Sequence, residues 1–458
     1  MKPTIVFVHA FGGPPIDHVM PVLARRCTVH ALLLSAITPY NRAVIQEFAQ
    51  TVTLRPEVPA MHVVGLITSH ARDVGADAVL TFSEFLVVAV AKACEHLGLR
   101  GAGPGAVRAR NKLAMRRRWV DTGIPTPVFH AVQSKPDLHE AAQQLGRPFV
   151  LKDAWGAGSI GTQMVKPDDD LDAVFDRTHA AITDARRHGI CEHTPDGNGA
   201  IQLIAEELMT GAAQDWFSTT ERGDFVSVEG IVVNGEPQSL ALTGRMRPLP
   251  PFCETADLTP AAIDTDTQTR LFGLAEAAVR ALGLQNCATH TEFKLMSARA
   301  VGLLEVAARV GGTAIARQIH VTQGVCLVDR LLTALLGTHW QDDAPALVPR
   351  AAPAAAGLQV IGADAQGRPW RQALPFDYHL IDWTEWLGPD VEVRLERSLS
   401  PPAGGWVAPY DASRGALNTA SILFVTATDP DRLLDACHRI ANELENKLLA
   451  AAAFCTTP

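Results

Sequence analysis

The chain has 458 residues, of which 47% are hydrophobic and 19% are charged, and its formal net charge is -9. This length predicts two to four packed subdomains, and the composition is typical of a compact globular protein rather than a disordered one. The negative charge and the lack of a basic stripe argue against a nucleic-acid partner, and no apolar run is long enough to span a membrane.

The first residues and the cysteines indicate a cytoplasmic protein. MKPTIVFVHAFGG predicts a strand that breaks at glycine, because a signal peptide needs a longer apolar region and a cleavage site. The eight cysteines lie far apart, with no CxxC pair and no histidine at ligand spacing. We therefore expect reduced, structural thiols.

The first 105 residues alternate apolar and helical stretches, which predicts a small parallel α/β domain. Its predicted strands are TIVFVHA, TVHALLL, MHVVGLI and AVLTF. The glycine-rich segment GLRGAGPGA, residues 98–106, predicts a linker to the next domain.

The remaining sequence predicts mixed α/β units. Helices are predicted over residues 106–122, 171–187, 264–282, about 322–336 and, as an amphipathic final helix, about 429–450. Predicted strands include GRPFVLK, TQMVK, residues 225–233 and a hairpin over residues 288–307. The Ala/Pro-rich stretch 344–356 predicts a second linker. We therefore expect four units, covering residues 1–105, 106–205, 206–343 and 357–458.

A glycine run follows the strand GRPFVLK. Gly156-x-Gly158-x-x-Gly161 matches the dinucleotide-binding fingerprint, but that fingerprint must open a helix, and here a strand follows. A glycine loop between two strands is typical of a lid that folds over ATP phosphates, because its backbone N–H groups are accessible. A flexible hairpin turn is the alternative reading.

Two glutamates lie on the predicted hairpin. With a turn at Ala298 and Arg299, Glu292 is expected directly opposite Glu305, at a separation of roughly 5 Å between neighbouring strands. A magnesium ion between them would convert their repulsion into binding. The alternative is a solvated polar face, and a register slip of one residue would separate the two carboxylates. The apolar run VGLLEVA around Glu305 favours the metal site, since an uncompensated carboxylate there is costly.

Two lysines complete the pattern. Lys112 opens the helix predicted at 106–122, and Lys152 ends the strand before the glycine loop. Cations beside a glycine loop suit a polyphosphate, and facing carboxylates suit the magnesium that accompanies it. These residues together predict an enzyme that consumes ATP.

In this order the segments resemble the ATP-grasp superfamily, and within it the carboxylate–amine ligases that make dipeptides, the L-amino-acid ligases. The matching segments span about 107–325 and are RNKLAMRRRWVDTGIPTP, PFVLKDAWGAGSIGTQMV, IAEELMTG, FVSVEGIVVNGEP, LGLQNCATHTEFKL and LLEVAARVGG. The resemblance implies an α/β fold of the ATP-grasp type, with an N-terminal parallel α/β domain and a C-terminal α/β subdomain.

The resemblance also implies roles for individual residues. Lys112 and Lys152 would contact the ATP phosphates, the loop of Gly156, Gly158, Ser159 and Gly161 would cover them, and Glu206, Glu207 and Leu208 would form the adenine-binding strand. Glu292 and Glu305 would hold Mg2+, with Mn2+ as an alternative ion. Arg309 would contact the acyl phosphate, acting in catalysis with Lys152 and Ser159, and Arg309, Gly311 and Gly312 are expected to meet the substrate. Apart from the resemblance, His290 and His320 could orient substrate, although a lone histidine is more often a structural hydrogen-bonding group.

Two departures from the superfamily pattern stand out. Many members carry Asn two residues after the second metal glutamate, where this chain has Ala307. The acid that binds the ribose usually follows the adenine strand closely, whereas here GAAQDWFSTTERGD intervenes. Asp224 and Asp215 are therefore both candidates for that acid, and Asp224 is counted among the expected nucleotide contacts.

The implied reaction is attack of a carboxylate on the γ-phosphate of ATP, followed by displacement of phosphate by an amine. The partners would be small amino acids or amines, and a homodimer is left open. Two alternatives remain: an ATP-grasp carboxylase or purine-pathway ligase, and a nucleotide-binding regulatory protein without turnover. The complete set of charged residues argues against the regulatory protein, and no biotinyl-carrier motif supports a biotin-linked carboxylase.

Overall fold

The computed structural model describes residues 2–338, 352–401 and 405–455. The N-terminal unit contains a parallel four-stranded sheet in the order β3-β2-β1-β4. Its elements are β1 Thr4–His9, α1 Ile16–Arg26, β2 Thr28–Leu33, α2 Pro39–Phe48, β3 Thr51–Leu54, α3 Ala60–Asp73, β4 Ala78–Thr81 and α4 Val87–Leu97. The predicted parallel α/β domain is confirmed.

One of its four predicted strands is wrong. The segment MHVVGLI, residues 61–67, lies in α3, and the missing strand is β3. Val63, Ile67 and Ala71 are buried, a spacing of four residues that places them on one face of a helix. The same seven residues fit a strand or one face of a helix, and β3 has no apolar run to mark it, since none of its four residues is fully buried.

The second unit carries the glycine loop on a four-stranded antiparallel sheet in the order β5-β8-β6-β7. Its elements are α5 Gly105–Arg110, α6 Lys112–Thr122, β5 Phe129–Val132, α7 Lys135–Leu145, β6 Phe149–Asp153, β7 Gln163–Val165, α8 Leu171–Arg187 and β8 Leu203–Glu207. The single helix predicted at 106–122 is therefore two helices. They separate at Asn111, whose backbone is extended. The Asn111 side-chain oxygen caps α6 by accepting from the Ala114 N–H at 2.9 Å.

The third unit begins a sheet of eight strands, in the order β13-β12-β9-β10-β11-β14-β18-β16. Its own elements are β9 Phe225–Val233, β10 Glu236–Arg245, β11 Ala256–Thr259, α9 Thr265–Leu282, β12 Cys287–Leu295, β13 Val301–Ala307, α10 Ile315–Gln323 and α11 Leu327–Leu336. The helix predicted near 322–336 starts later, at Leu327, because Gly324 ends α10 in the left-handed conformation, with φ 74°.

The C-terminal unit continues the same sheet, since β14 pairs with β11. Its elements are β14 Ala354–Val360, β15 Leu374–Phe376, α12 Trp383–Leu387, β16 Val391–Leu395, β17 Gly405–Val407, β18 Ser421–Ala427 and α13 Pro430–Cys455. The predicted linker 344–356 lies outside the described residues up to residue 351, and its last residues belong to β14, where the linker prediction is wrong.

An ion-pair network fastens the N-terminal unit to the C-terminal one. The Arg317 guanidinium contacts Asp17 at 2.7 Å and Glu396 at 3.1 Å. The backbone N–H of Asp17 also donates to the Ser398 hydroxyl at 3.1 Å. Arg317 lies on α10 of the third unit, so these contacts join the N-terminal, third and C-terminal units.

Two further findings bear on the expectations from composition. Seven cysteines are free thiols, namely Cys27, Cys94, Cys191, Cys253, Cys287, Cys326 and Cys437. No single helix among the described residues is both long and apolar enough to cross a membrane, and the bent pair α10–α11 passes that test only by length and composition.

Candidate active site

A cavity of about 840 Å³ lies between the glycine-loop sheet and the eight-stranded sheet. Predicted site residues from widely separated segments meet in its wall, namely Lys112, Lys152, Gly156, Gly158, Ser159, Glu206, Glu207, Leu208, Asp224, Glu292 and Glu305. Gly161, His290, Arg309, Gly311 and Gly312 lie outside this lining as the described residues form it.

Lys112 joins the glycine loop to the predicted metal site. Its ammonium donates to the carbonyl of Gly156 at 2.8 Å and contacts a carboxylate oxygen of Glu305 at 3.2 Å. The cap at Asn111 fixes the start of α6, and the Lys112 N–H donates to the Ala154 carbonyl at 2.8 Å. The position of this cation is therefore set by the backbone at the start of the glycine loop and by the Glu305 carboxylate on β13.

Lys152 lies on β6 and contacts Glu206 of β8 at 2.6 Å. The other oxygen of Glu206 accepts from Arg116 at 2.6 Å, and Arg116 donates in turn to the Leu304 carbonyl at 2.7 Å. Burial alone would raise the pKa of Glu206, but the two cations outweigh it and lower the pKa to about 2. A buried carboxylate thus holds the Lys152 ammonium in place at the cavity.

This pKa shift predicts an acid-dependent loss of stability. Glu206→Gln should lower the free energy of unfolding at pH 7 by about 3 kcal/mol, because a shift of this size is worth roughly that much. The folded pKa lies below the unfolded one, so the contribution is present above pH 4.5 and is lost as pH falls towards 2. Denaturant unfolding of both proteins across that range checks this. A difference that stays constant down to pH 2.5 would contradict it.

The glycine loop connects β6 to β7, as the strand–loop–strand pattern predicted. Ser159 has φ 56° and Gly158 has φ 64°, so the loop turns through the left-handed region. Gly161 has φ 69° and packs against α8, where an added Cβ would lie 3.1 Å from Ile182. The tip of the loop therefore faces the cavity and its end is fixed to the helix behind.

Glu292 and Glu305 are paired across β12 and β13, in the register that the sequence predicted. The uniform ladder behind that prediction is wrong, because a bulge follows Glu292 and pairs Phe293 with Leu303. The turn at Ala298 and Arg299, with φ 51° and 56°, compensates for the bulge. Both carboxylates line the cavity.

These two carboxylates fit a hard divalent cation. Their side chains are 21% and 28% exposed, both face the cavity, and oxygen is the donor that Mg2+ prefers. No group of three or more His, Cys, Asp or Glu side chains that could hold a metal ion is found among the described residues. Water and substrate oxygens would supply the remaining ligands.

The two candidates for the ribose acid differ in position. Asp224 lines the cavity and accepts from the Lys294 ammonium at 2.7 Å. Asp215 instead accepts from the backbone N–H of Ala298 at 3.0 Å and so caps the turn of the β12–β13 hairpin. Asp215 therefore holds the hairpin turn, and of the two candidates only Asp224 is part of the described cavity lining.

Arg309 is held by the N-terminal unit. Its guanidinium contacts Glu84 at 2.5 Å, and the second oxygen of Glu84 contacts Arg110 at 2.9 Å. Arg110 is buried and also contacts Glu192 at 3.1 Å. Burial alone would raise the pKa of Glu84, but Arg309 and Arg110 lower it. Glu84 is therefore ionised, and its carboxylate orients the Arg309 guanidinium.

His290 lies between two carboxylates in the layer beneath the cavity. Its Nδ1 contacts Glu229 at 2.6 Å and its Nε2 contacts Glu292 at 3.1 Å. Burial alone would lower its pKa, but the two carboxylates raise it to about 10, so the ring is cationic. The backbone of Gly311 packs on this pair, since an added Cβ there would lie 2.9 Å from Glu229. Gly312 accepts from the Ile315 N–H at 3.3 Å at the start of α10.

Sequence reasoning missed one wall of the cavity. The connection between β10 and β11 places Arg247 and Glu254 in the lining. Glu254 contacts the buried Arg245 at 3.2 Å, and burial raises its pKa to about 7 despite that cation. The pair of prolines at 250 and 251 was a signal for a structured turn, but no local pattern showed that the turn faces the glycine loop.

Comparisons with known proteins agree with this geometry. The model of the ATP-grasp domain matches residues 145–317. Alanine–anticapsin ligase of Bacillus subtilis is 35% identical over 279 residues, which cover 60% of this chain and 57% of that protein. Human carnosine synthase 1 is 25% identical over 278 residues, 58% of this chain and 31% of that protein. The chain thus matches less than two thirds of the length of either relative.

The fold comparison covers nearly the whole chain. The crystal structure of an L-amino acid ligase from Bacillus licheniformis superposes with a TM-score of 0.70 at 18% identity, covering 96% of this chain and 97% of that one. The likeness includes the N-terminal parallel sheet and the C-terminal unit that flank the matched domain. By sequence, residues 145–317 match the ATP-grasp domain, and the fold of nearly the whole chain is similar to that of the L-amino acid ligase.

Proposed function

We propose that this chain is an ATP-dependent carboxylate–amine ligase. It activates the carboxylate of an amino acid as an acyl phosphate and couples it to an amino group, releasing ADP and phosphate. The observation that carries the proposal is the meeting of Lys112, Lys152 and the glycine loop with Glu292 and Glu305 in one cavity. The matched part of alanine–anticapsin ligase supports the choice of an amino acid as substrate.

The first step is an in-line transfer. A carboxylate oxygen of the substrate attacks the γ-phosphorus of ATP, the bond from that phosphorus to the β,γ-bridging oxygen breaks, and ADP leaves. Such transfer needs positioning and charge neutralisation rather than a protein nucleophile. Lys112 and Lys152 would neutralise phosphate oxygens, and the N–H groups around Ser159 would hold them. Magnesium, bound by Glu292 and Glu305, would supply further positive charge.

The second step forms the amide. A neutral amine attacks the acyl carbon, and the carbon–oxygen bond to phosphate breaks as the amine proton is lost. Arg309 would stabilise the tetrahedral oxyanion with its planar set of donors. Glu84 contributes by fixing that guanidinium from outside the cavity. Because Glu84 comes from the N-terminal unit, the oxyanion contact depends on how that unit is docked.

A screen tests the proposed function. ADP release should be measured with each of the twenty amino acids, singly and in pairs, with mass spectrometry of the products. We expect ADP only when a carboxylate and an amine substrate are both present, together with a product of amide mass. ADP formed only with bicarbonate or a nucleotide precursor would favour the carboxylase or purine-pathway alternative. ATP binding without turnover would favour the regulatory one.

Lys152→Ala should weaken ATP binding about tenfold or more, because a charge-assisted contact to phosphate is lost. Binding of the amino acid should change little. Lys166→Ala, just beyond β7, is the matched control, since Lys166 lies outside the cavity lining as described. Isothermal titration with each ligand checks this. Normal ATP affinity with lost amino-acid binding would reassign Lys152 to the substrate.

The finer assignments belong to the same proposal. We propose Mg2+ as the ion, with Mn2+ as a substitute, a cytoplasmic location, and the four units as structural domains. The free thiols found at seven cysteines, from Cys27 to Cys437, support a reducing compartment. A homodimer stays a prediction, which light scattering of the purified chain checks directly.

A further inference from the structure

The C-terminal unit touches the active site at a segment outside the cavity lining. This segment, residues 410–418, ends in a short 3-10 helix, Gly415–Asn418, and we call it the brace. The backbone N–H of Ala416 donates to the Gly158 carbonyl at 2.8 Å. Gly415 has φ 50°, and a Cβ there would lie 2.5 Å from the Gly158 carbonyl oxygen and 2.7 Å from the Ser159 backbone. The tip of the glycine loop thus rests directly on the brace.

Apolar packing extends this contact. Leu417 packs in a small cluster with Ala157 and Ile160 of the loop, together with Phe85 of the N-terminal unit. A single hydrogen bond on a surface loop contributes little by itself, whereas a backbone contact with packed side chains on one side orders the loop. The loop is therefore held in one position against a defined surface.

The brace also holds the opposite wall of the cavity. The Tyr410 hydroxyl donates to the Pro250 carbonyl at 2.7 Å, and the Cys253 thiol donates to the Gly415 carbonyl at 3.5 Å. Pro250 lines the cavity beside Phe252 and Glu254. One segment therefore contacts both the glycine loop and the β10–β11 connection.

The brace is itself internally fixed. The Asn418 amide accepts from the Asp411 N–H at 2.9 Å and donates to the carbonyls of Asp411 and Gly415 at 2.8 and 2.9 Å. The Ala420 N–H donates to the Val360 carbonyl at 2.9 Å, which joins the brace to β14 of the large sheet. The glycine loop is therefore docked on a segment that is itself anchored to the large sheet.

We propose that the brace is the docking surface that sets the closed position of the glycine loop, with Gly415, Ala416 and Leu417 as positioning residues. This inference rests on the proposed function, since it assigns the loop to ATP phosphates. The brace acts on substrate indirectly, through its contacts with the glycine loop and the β10–β11 connection. Its effect is to hold the N–H groups near Ser159 in place. Opening of the loop then requires release of the contact between Gly158 and Ala416.

Gly415→Ala tests the proposal, because the added methyl meets only the backbone of the loop. Gly75→Ala is the matched control: Gly75 has φ 63°, and a Cβ there has no neighbour within 4 Å. Both changes impose a left-handed alanine, but only one displaces the loop. Leu417→Ala is a second variant that trims the apolar contact and serves if Gly415→Ala fails to fold.

Two readouts are measured on the full chain: hydrogen exchange of peptides covering residues 154–164 with ADP and Mg2+, and the KM for ATP. We expect loop exchange to rise on the order of tenfold in both brace variants, as loss of a docking contact implies, with KM for ATP raised and Gly75→Ala unchanged. Exchange and KM equal to wild type would overturn the proposal. The exchange readout needs no turnover, so a failed ligase assay with altered exchange would reject the proposed function and keep the brace.

Discussion

Glu305→Gln is expected to abolish ADP formation, with a loss of about 100-fold or more, because it removes half of the proposed metal site. Glu292 alone would leave a single protein carboxylate facing the phosphates. The control is Glu236→Gln on β10, where the glutamate is 78% exposed and pairs with Arg280. Coupled-enzyme assay of ADP across a range of Mg2+ concentrations checks this. Full activity at ordinary Mg2+ would remove Glu305 from the metal site.

The same variant separates two readings of the carboxylate pair. Repulsion between facing glutamates alone would predict that Glu305→Gln stabilises the metal-free protein. Burial alone would raise the pKa of Glu305, but the positive charges of Lys112 and Lys152 outweigh burial and lower that pKa to about 2. The cations therefore stabilise the anion, and we expect a loss of about 1–3 kcal/mol, the usual effect of removing a charged hydrogen bond. A raised melting temperature without metal would contradict this.

Arg309→Ala is expected to lower kcat by about 100- to 1000-fold, the usual effect of removing a donor to a developing oxyanion. ATP affinity should be kept, since Lys112 and Lys152 remain. Folding should also be kept, because Glu84 retains its contact with Arg110 at 2.9 Å. Arg280→Ala, on the exposed face of α9, is the control. Steady-state kinetics with both substrates check the separation of kcat from KM.

Glu84→Gln adds a test of how Arg309 is positioned. Glutamine keeps a contact to the guanidinium but loses the charge that two arginines share. We expect a smaller loss of kcat than for Arg309→Ala, and a double variant no worse than Arg309→Ala, because both changes act through one group. Additive losses would show that Glu84 acts separately from Arg309.

The sequence predicted those parts of the site that depend on local pattern. The facing of Glu292 and Glu305 followed from strand alternation and the turn, and the bulge left that pair in register. The glycine run lies between two strands, and this setting excluded the dinucleotide-binding fingerprint, which must open a helix. Lys112 opens its helix as expected, although Asn111 divides the predicted helix in two.

The contacts that were missed join residues far apart in sequence. Arg309 and Glu84 lie 225 positions apart, and nothing near either residue indicates the other. The brace and the glycine loop are also far apart in sequence, and their hydrogen bond joins the backbone atoms of Ala416 and Gly158, which no side-chain pattern marks. The strand predicted at MHVVGLI was wrong for a local reason, because an apolar run of seven residues fits either a strand or one face of a helix.

The most direct test of the acyl-phosphate route uses oxygen transfer. An amino acid labelled with 18O in its carboxylate is turned over with ATP and an amine acceptor, and inorganic phosphate is analysed by mass spectrometry. The proposed chemistry predicts ADP together with phosphate that carries one 18O per turnover, because the attacking oxygen leaves with the phosphate. Label found in AMP, or phosphate without label during amide formation, would contradict it.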